Sequence, residues 1–122
     1  MKIYLDDLRR IPDGWTGVRT PEDFKKTIQE CLASGEKIEA LAFDNDLGVA
    51  IEGYDLAKWL RDEHPLVILE AECSAHSSNT NARESMEALF KSIKDHPEEI
   101  REMAAEIAAA RADRVENGGK RL

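Results

Sequence analysis

The sequence predicts one α/β domain built on a short parallel β-sheet, with an additional helix at its C-terminal end. Short apolar segments alternate along the chain with segments of helical periodicity, which is the pattern of parallel strands joined by helical crossovers. Two of the apolar segments end directly at aspartates, as buried parallel strands do at a functional edge. A chain of 122 residues has room for a single hydrophobic core.

The first two predicted strands are short and close together in the sequence. An apolar run at residues 2–5 stops at Asp6 and Asp7. Residues 11–14, Ile-Pro-Asp-Gly, are typical of a turn, and residues 15–19 form a second brief extended segment. The intervening segment is too short for a long helix.

A helix and a third strand follow. Thr20 is a good N-cap and Pro21 suits the first helical position, while Gly35 ends the apolar periodicity. The next apolar run, residues 38–43, stops at the acidic segment that begins with Asp44. Two strands of the predicted sheet therefore end in carboxylates.

The second half of the predicted domain continues the alternation. Residues 53–63 have helical spacing and Pro65 stops that helix. Residues 67–73 predict a fourth strand, in which glutamates alternate with apolar residues, so one of its faces is expected to be wet and to lie at the sheet edge. A polar loop at residues 74–79 leads to a further helix, whose apolar side is formed by Ala82, Met86, Leu89, Phe90 and Ile93.

The C-terminal segment differs in composition. We divide the chain into an α/β domain at residues 1–95 and an amphipathic helix with a frayed tail at residues 96–122. Ile100, Met103 and Ile107 form a narrow apolar stripe on this helix. Two arrangements cover the stripe: packing on the helix's own domain, or pairing with the same helix of a second copy. The three- and four-residue spacing favours a homodimer.

Composition excludes several classes of protein. A formal net charge of −8 disfavours an extended nucleic-acid-binding surface, although a nucleotide or an RNA end stays compatible with it. No apolar run approaches the length of a membrane span. Cys31 and Cys73 lie outside disulfide or metal-site spacings, which predicts reduced thiols and a cytoplasmic protein.

The acidic residues form the first candidate site. In a sheet ordered 2-1-3-4 the strand ends that carry Asp6, Asp7, Asp44 and Asp46 are neighbours. Clustered carboxylates raise one another's pKa or bind a cation, and Mg²⁺ prefers such oxygen ligands. Single members of the set could instead cap helices or turns, but the set as a whole predicts a metal site.

The polar loop after the fourth predicted strand adds a second group. His76 can donate or accept a proton near neutral pH, and Ser77 and Asn79 can bind phosphate oxygens. Asn79, or Thr80, could equally serve as a helix N-cap, and His76 could simply be solvated. Arg9 could bind a phosphate or only neutralise the aspartates.

Taken together, the motifs resemble the cyclic-phosphate-processing receiver-like domains, over roughly residues 1–90. The motifs are Asp6-Asp7-Leu8-Arg9 with Pro12 and Gly14-Trp15, Phe43-Asp44-Asn45-Asp46-Leu47-Gly48, Gly53-Tyr54-Asp55, and His76-Ser77-Ser78-Asn79 with Met86. The resemblance implies a receiver-like, or flavodoxin-like, three-layer fold. It also implies a metal site at Asp6, Asp7 and Asp44 with His76 beside it.

Two positions depart from the family pattern. Asn45 stands where members usually have a histidine, which shifts a proton-transfer role onto His76. Thr80 replaces a proline, so the preceding loop is expected to be less rigid. Compared with ordinary receiver domains, the chain also lacks a fifth strand that bears a lysine, which disfavours a simple phosphorelay.

The resemblance implies a metal-dependent hydrolase of a cyclic phosphodiester, either a 2′,3′-cyclic phosphate at an RNA end or a small cyclic nucleotide, in bacterial or phage RNA repair or conflict. Mg²⁺ or Mn²⁺ would be the cofactor. His76, Asp44 and Asp46 are the expected catalytic residues, and Arg9, Ser77 and Asn79 the expected substrate-binding residues. The alternatives are a receiver whose Asp44 accepts a phosphoryl group, and a binder of cyclic nucleotides without turnover.

Overall fold

A parallel sheet forms the centre of the computed structural model, which describes the backbone of residues 1–118 and the side chains of residues 1–114. Within these residues the sheet has four strands in the order β2-β1-β3-β4, which confirms the predicted order. All three neighbouring pairs are parallel. The strands are β1 (Lys2–Leu5), β2 (Thr16–Val18), β3 (Ala40–Phe43) and β4 (Glu72–Ala75).

Helices connect the strands and extend beyond them. In the described chain they are α1 (Pro21–Ser34), α2 (Gly53–Glu63), α3 (Pro65–Glu70), α4 (Thr80–Asp95) and α5 (Pro97–Gly118). The first helix begins and ends as predicted, since the Thr20 side chain accepts a hydrogen bond from the N–H of Asp23 and Gly35 adopts a left-handed φ of 75°. The receiver-like α/β fold with an extra C-terminal helix is thereby confirmed.

The predicted fourth strand at residues 67–73 is wrong over most of its length. Residues Pro65–Glu70 form the short helix α3, and the strand begins only at Glu72. Pro65 suits the first turn of a helix, and Val67 and Ile68 on that helix are buried, so packing outweighs the strand preference of β-branched residues. The wet face is found on β4 itself, where Glu72 and Ser74 are exposed.

The hydrophobic core lies on one face of the sheet. The rings of Phe24 in α1 and Phe90 in α4 lie 5.4 Å and 5.3 Å from the ring of Phe43. Because side chains alternate along a strand, the core residues share this face, namely Ile3 and Leu5 of β1 with Leu41 and Phe43 of β3. The opposite face carries Lys2, Tyr4, Ala40, Ala42, Glu72 and Ser74.

The C-terminal helix packs on its own domain, against α3 and α4. Ile100 is buried there, whereas Met103 keeps 39% of its surface exposed. Closer to the C-terminal end of α5, Arg111 links this helix to the end of α2. Its Nη2 donates to the main-chain oxygen of Glu63 at 2.6 Å and to Glu63 Oε2 at 2.8 Å. The predicted boundary between residues 95 and 96 stays a prediction. Among the described helices, none is long and apolar enough to cross a membrane.

Candidate functional site

An acidic triad lies at the carboxyl edge of the sheet. The N–H of Asp44 donates to the main-chain oxygen of Leu5 at 2.9 Å, so the ends of β1 and β3 are side by side. One carboxylate oxygen each from Asp6, Asp7 and Asp44 lies within 4.8 Å of the other two. Asp6 and Asp44 are buried and Asp7 is half-buried. The sheet thus brings together three of the four aspartates named in the sequence analysis.

The triad has an uneven electrostatic environment. Burial raises the pKa of Asp44, and the negative charge of Asp6 raises it further. Burial also opposes the ionisation of Asp6, but the pKa of Asp6 is lowered overall because the N–H groups of Arg9 and Leu8 donate to its Oδ1 at 2.7 Å and 2.9 Å. Asp6 is therefore the more easily ionised carboxyl group of the pair, and Asp44 the less easily ionised one.

The donor set fits a divalent cation. Three carboxylate oxygens at close range on a partly buried surface repel one another, and a divalent ion with a preference for oxygen ligands removes that repulsion. The triad could therefore hold a divalent metal. Asp46 lies outside the triad: it is exposed, and its Oδ1 is 3.5 Å from Nδ2 of Asn45.

His76 stands directly beside the triad. The main-chain N–H of His76 donates to the main-chain oxygen of Phe43 at 2.8 Å, so this residue, which follows β4, lies at the same sheet edge. Its Nε2 lies 3.2 Å from Oδ2 of Asp6. Burial lowers the pKa of His76, while the charges of Asp6 and Asp44 act in the opposite direction. The imidazole also stacks on the ring of Tyr4.

Arg9, Ser77 and Asn79 are near this edge but have local partners. Arg9 donates from Nη1 to the main-chain oxygen of His76 at 2.8 Å, and its Nε is 3.7 Å from Oδ2 of Asp6. The oxygen of the buried Ser77 hydroxyl accepts the N–H of Asn79 at 3.1 Å. Asn79 caps α4, because its Oδ1 accepts the N–H of Ala82 at 3.1 Å. Arg9 thus neutralises Asp6 in this structure, and Asn79 has the capping function named as its alternative.

Residues 1–92 match the family model described as the cyclic-phosphate processing receiver domain. The chain belongs to this family. The matched residues include the acidic triad, His76 and α1 to α3, whereas α5 lies outside the match. No curated protein and no solved structure gave a match. The family name connects this receiver domain with cyclic-phosphate substrates.

Sequence reasoning named Asn45 and Gly53 but did not predict the contacts by which they shape the site of this receiver domain. Asn45 is 1% exposed; its Oδ1 accepts the N–H of Tyr54 at 3.1 Å, and its Nδ2 donates to Glu52 Oε2 at 3.3 Å. Gly53 approaches the main chain of Asp44 so closely that a Cβ would lie 1.8 Å from the Asp44 carbonyl oxygen. Together they fix the start of α2 against the end of β3. A glycine before a helical pattern was the available signal for this close approach.

Replacing Gly53 by alanine is expected to lower the free energy of unfolding by about 3 kcal/mol or more, because the main chain of Asp44 has to move. Gly35→Ala is the comparison: its new Cβ meets no atom within 4 Å and only the left-handed φ is strained, which costs about 1 to 2 kcal/mol. Urea denaturation measures both. If both variants lost the same free energy of unfolding, the main chain of Asp44 would have moved away from the new Cβ at position 53 at little cost.

Proposed function

We propose that this receiver domain hydrolyses a cyclic phosphodiester in a metal-dependent reaction. The observation that carries the proposal is the 3.2 Å distance between His76 Nε2 and Oδ2 of Asp6, a member of the acidic triad. A group that transfers protons and a site able to hold a divalent cation thereby lie next to each other. The family name supplies the class of substrate.

Mg²⁺ or Mn²⁺ would be held by Asp6, Asp7 and Asp44, and when bound it supplies charge that stabilises the phosphoryl oxygens. The exposed carboxylate of Asp46 would accept a hydrogen bond from the attacking water. The water oxygen bonds to phosphorus and releases one proton to solvent as the bond from phosphorus to one ribose oxygen breaks. Protonated His76 gives its Nε2 proton to that departing oxygen. The product is a phosphomonoester with a free ribose hydroxyl.

The proposed substrate contacts come from Ser77, Asn79 and Arg9; the Ser77 side chain is buried, so the ligand has to displace its cover to reach it. The oxygen of Ser77 accepts the N–H of Asn79, so its hydroxyl hydrogen can donate to a phosphate oxygen. The Oδ1 of Asn79 caps α4, and its Nδ2 can donate in the same way. Arg9 is half exposed and could turn its guanidinium from Asp6 towards an incoming phosphate. These three residues would bind the oxygens that do not react.

The proposed setting is cytoplasmic processing of RNA ends or cyclic nucleotides, in bacterial or phage RNA repair or conflict. Two observations are compatible with it: Cys31 and Cys73 are free thiols, and the net charge of −8 suits a small phosphate ligand better than an extended nucleic acid. A ligand that reaches only the edge of the sheet does not need a basic surface.

Incubation with a panel of 2′,3′-cyclic and 3′,5′-cyclic nucleotides and with RNA ending in a cyclic phosphate tests the proposal. With Mg²⁺ or Mn²⁺ present, phosphorus NMR is expected to show a phosphomonoester from one class. Binding without turnover would identify a cyclic-nucleotide binder instead. A stable aspartyl phosphate on Asp44, formed from a small phosphodonor, would identify a signalling receiver.

Pairing of α5 with the same helix of a second copy also remains a proposal. Ile100 is buried in its own domain, so such a pairing would centre on the exposed Met103. If the dimer forms, Met103→Glu is expected to yield monomers in sedimentation, because it places a charge in the apolar contact. Gln29→Glu is the control, because it adds the same negative charge at an exposed position of α1. A wild-type monomer at high micromolar concentration would exclude the dimer.

A further inference from the structure

Tyr4 and His76 are stacked across the sheet. Their ring centroids are 4.4 Å apart and the ring planes differ by 12°. Tyr4 lies on β1 and His76 follows β4, with β3 between them. The β3 residue paired with Tyr4 is Ala42, which is also paired with Ser74. The small alanine side chain leaves room for the tyrosine ring to reach across the middle strand.

Tyr4 is not part of the hydrophobic core. Its alternate neighbours Ile3 and Leu5 are fully buried in the core, whereas Tyr4 is partly exposed on the opposite face. On that face it meets the edge of Trp15, with ring centroids 5.8 Å apart at 80°. Its contact with His76 therefore does not follow from a need to fill the core.

The imidazole of His76 is held from several sides. Tyr4 covers one ring face, and Oδ2 of the Asp6 carboxylate lies 3.2 Å from Nε2, where it can accept a hydrogen bond. The main chain of His76 is fixed by hydrogen bonds to Phe43 and from Arg9. The remaining ring nitrogen, Nδ1, is buried and has no hydrogen-bond partner within the described chain.

This arrangement selects one tautomer. A hydrogen on Nδ1 would be a buried donor without an acceptor, and it would leave the lone pair of Nε2 facing the Asp6 carboxylate. With the hydrogen on Nε2, the ring donates to Asp6 and only the lone pair of Nδ1 is left without a partner. A buried acceptor without a partner costs less free energy than a buried N–H without one.

We propose that Tyr4 is a positioning residue, whose ring holds the His76 imidazole with its Nε2–H directed at the acidic triad. Its effect on turnover rests on the proposed function, whereas the tautomer and the ring position do not. Tyr4 acts through His76 and does not touch the reacting atoms, so the loss of its ring changes kcat and leaves KM nearly unchanged. Misplacement of a catalytic group by about 1 Å costs on the order of 10²-fold, which sets the scale.

The first experiment uses the wild-type protein without added metal. Nitrogen-15 NMR of the histidine side chains, at a pH where His76 is neutral, is expected to show the hydrogen on Nε2, and the ring protons of His76 are expected to be shifted upfield by the tyrosine ring. A hydrogen on Nδ1, or unshifted ring protons, would overturn the proposal. This measurement needs no variant to fold.

The second experiment compares Tyr4→Phe with Tyr4→Leu. Phenylalanine keeps the stacking ring, so the His76 signals and kcat are expected to stay within about twofold of wild type, while leucine is expected to abolish the upfield shift and to lower kcat by about 10- to 100-fold. The proposal would be refuted if the Tyr4→Leu variant kept the wild-type His76 signals. It would also be refuted if Tyr4→Phe lost the upfield shift and the turnover to the same extent as Tyr4→Leu. If the wild type hydrolyses no cyclic phosphate, the proposed function fails, and the NMR comparison still decides the role of Tyr4.

Discussion

Replacing His76 by alanine is expected to lower the turnover of the cyclic phosphate by about 10² to 10⁴, the range that positioned acid–base groups contribute. The departing ribose oxygen would then leave without the proton that His76 Nε2 provides. The fold is expected to survive, since His76 lies at a polar sheet edge and is absent from the core cluster. Rates measured by phosphorus NMR or a discontinuous chromatographic assay give the comparison.

The chain offers a matched control for this variant. His96 is exposed and its Nδ1 contacts the main-chain oxygen of Ser92 at 2.8 Å, at the end of α4. His96→Ala removes the same side chain without touching the acidic triad and should keep the wild-type rate. An unchanged rate in His76→Ala, with metal-induced stabilisation intact, would remove His76 from the mechanism.

Replacing Asp44 by asparagine is expected to change thermal stability in two opposite ways. Without metal, the variant should melt at a higher temperature than wild type, because burial and the charge of Asp6 disfavour ionised Asp44. With millimolar Mg²⁺ or Mn²⁺, the wild type should gain several degrees while the variant gains almost nothing. A ligand at 100 times its Kd stabilises by about 2.7 kcal/mol, which makes the difference easy to measure.

The pH dependence has a definite sign. The folded-state pKa of Asp44 is raised, so its contribution to stability is fully present below the unfolded-state pKa and is lost as the pH rises through the folded-state pKa. The stability advantage of Asp44→Asn in metal-free buffer should therefore be absent below the unfolded-state pKa, grow as the pH rises, and be complete above the folded-state pKa. Calorimetry in EDTA across the acidic and neutral range measures it.

Asp13→Asn is the control for the loss of one negative charge, since Asp13 is exposed in the loop between β1 and β2. It should leave the metal response unchanged. If wild-type protein melts at the same temperature in EDTA and in millimolar Mg²⁺ or Mn²⁺, the acidic triad does not bind these ions and the metal site is ruled out.

Local sequence signals predicted much of the fold. Thr20, Pro21 and Gly35 give helix α1 its start and end through bonds and backbone angles that involve only near neighbours, so these residues determine the boundaries. The aspartates after β1 and β3 mark the strand ends, and the parallel connection rules place them together. Asp6, Asp7 and Asp44 could therefore be assigned to one site from sequence alone.

Helix α3 could not be predicted in this way. Its residues Leu66 to Leu69 have the β-branched and apolar character of a buried strand, and a run of this length has no distinct period. The choice of helix depends on packing against α2, α4 and α5, which the local sequence does not encode. The strand that follows is correspondingly shorter than predicted.

The supporting residues of the site depend on contacts that are distant in sequence. Tyr4 meets a side chain 72 positions later, and the pairing of β1 with β3 and of β3 with β4 is what brings them together. Asn45 and Gly53 matter because the start of α2 returns to the end of β3. Likewise, the N-cap role of Asn79 was predicted as an alternative, but only the position of α4 decides it.

The dimensions of the outer strands bear on how the protein behaves at high concentration. An edge strand presents unpaired main-chain groups that can recruit another chain into a growing sheet. In the described sheet, β2 has only three residues and includes Gly17, while β4 has four and carries the exposed Glu72 and Ser74. Such short edges, one of them charged, are poor templates for strand addition, so amyloid-like assembly of the folded protein is disfavoured.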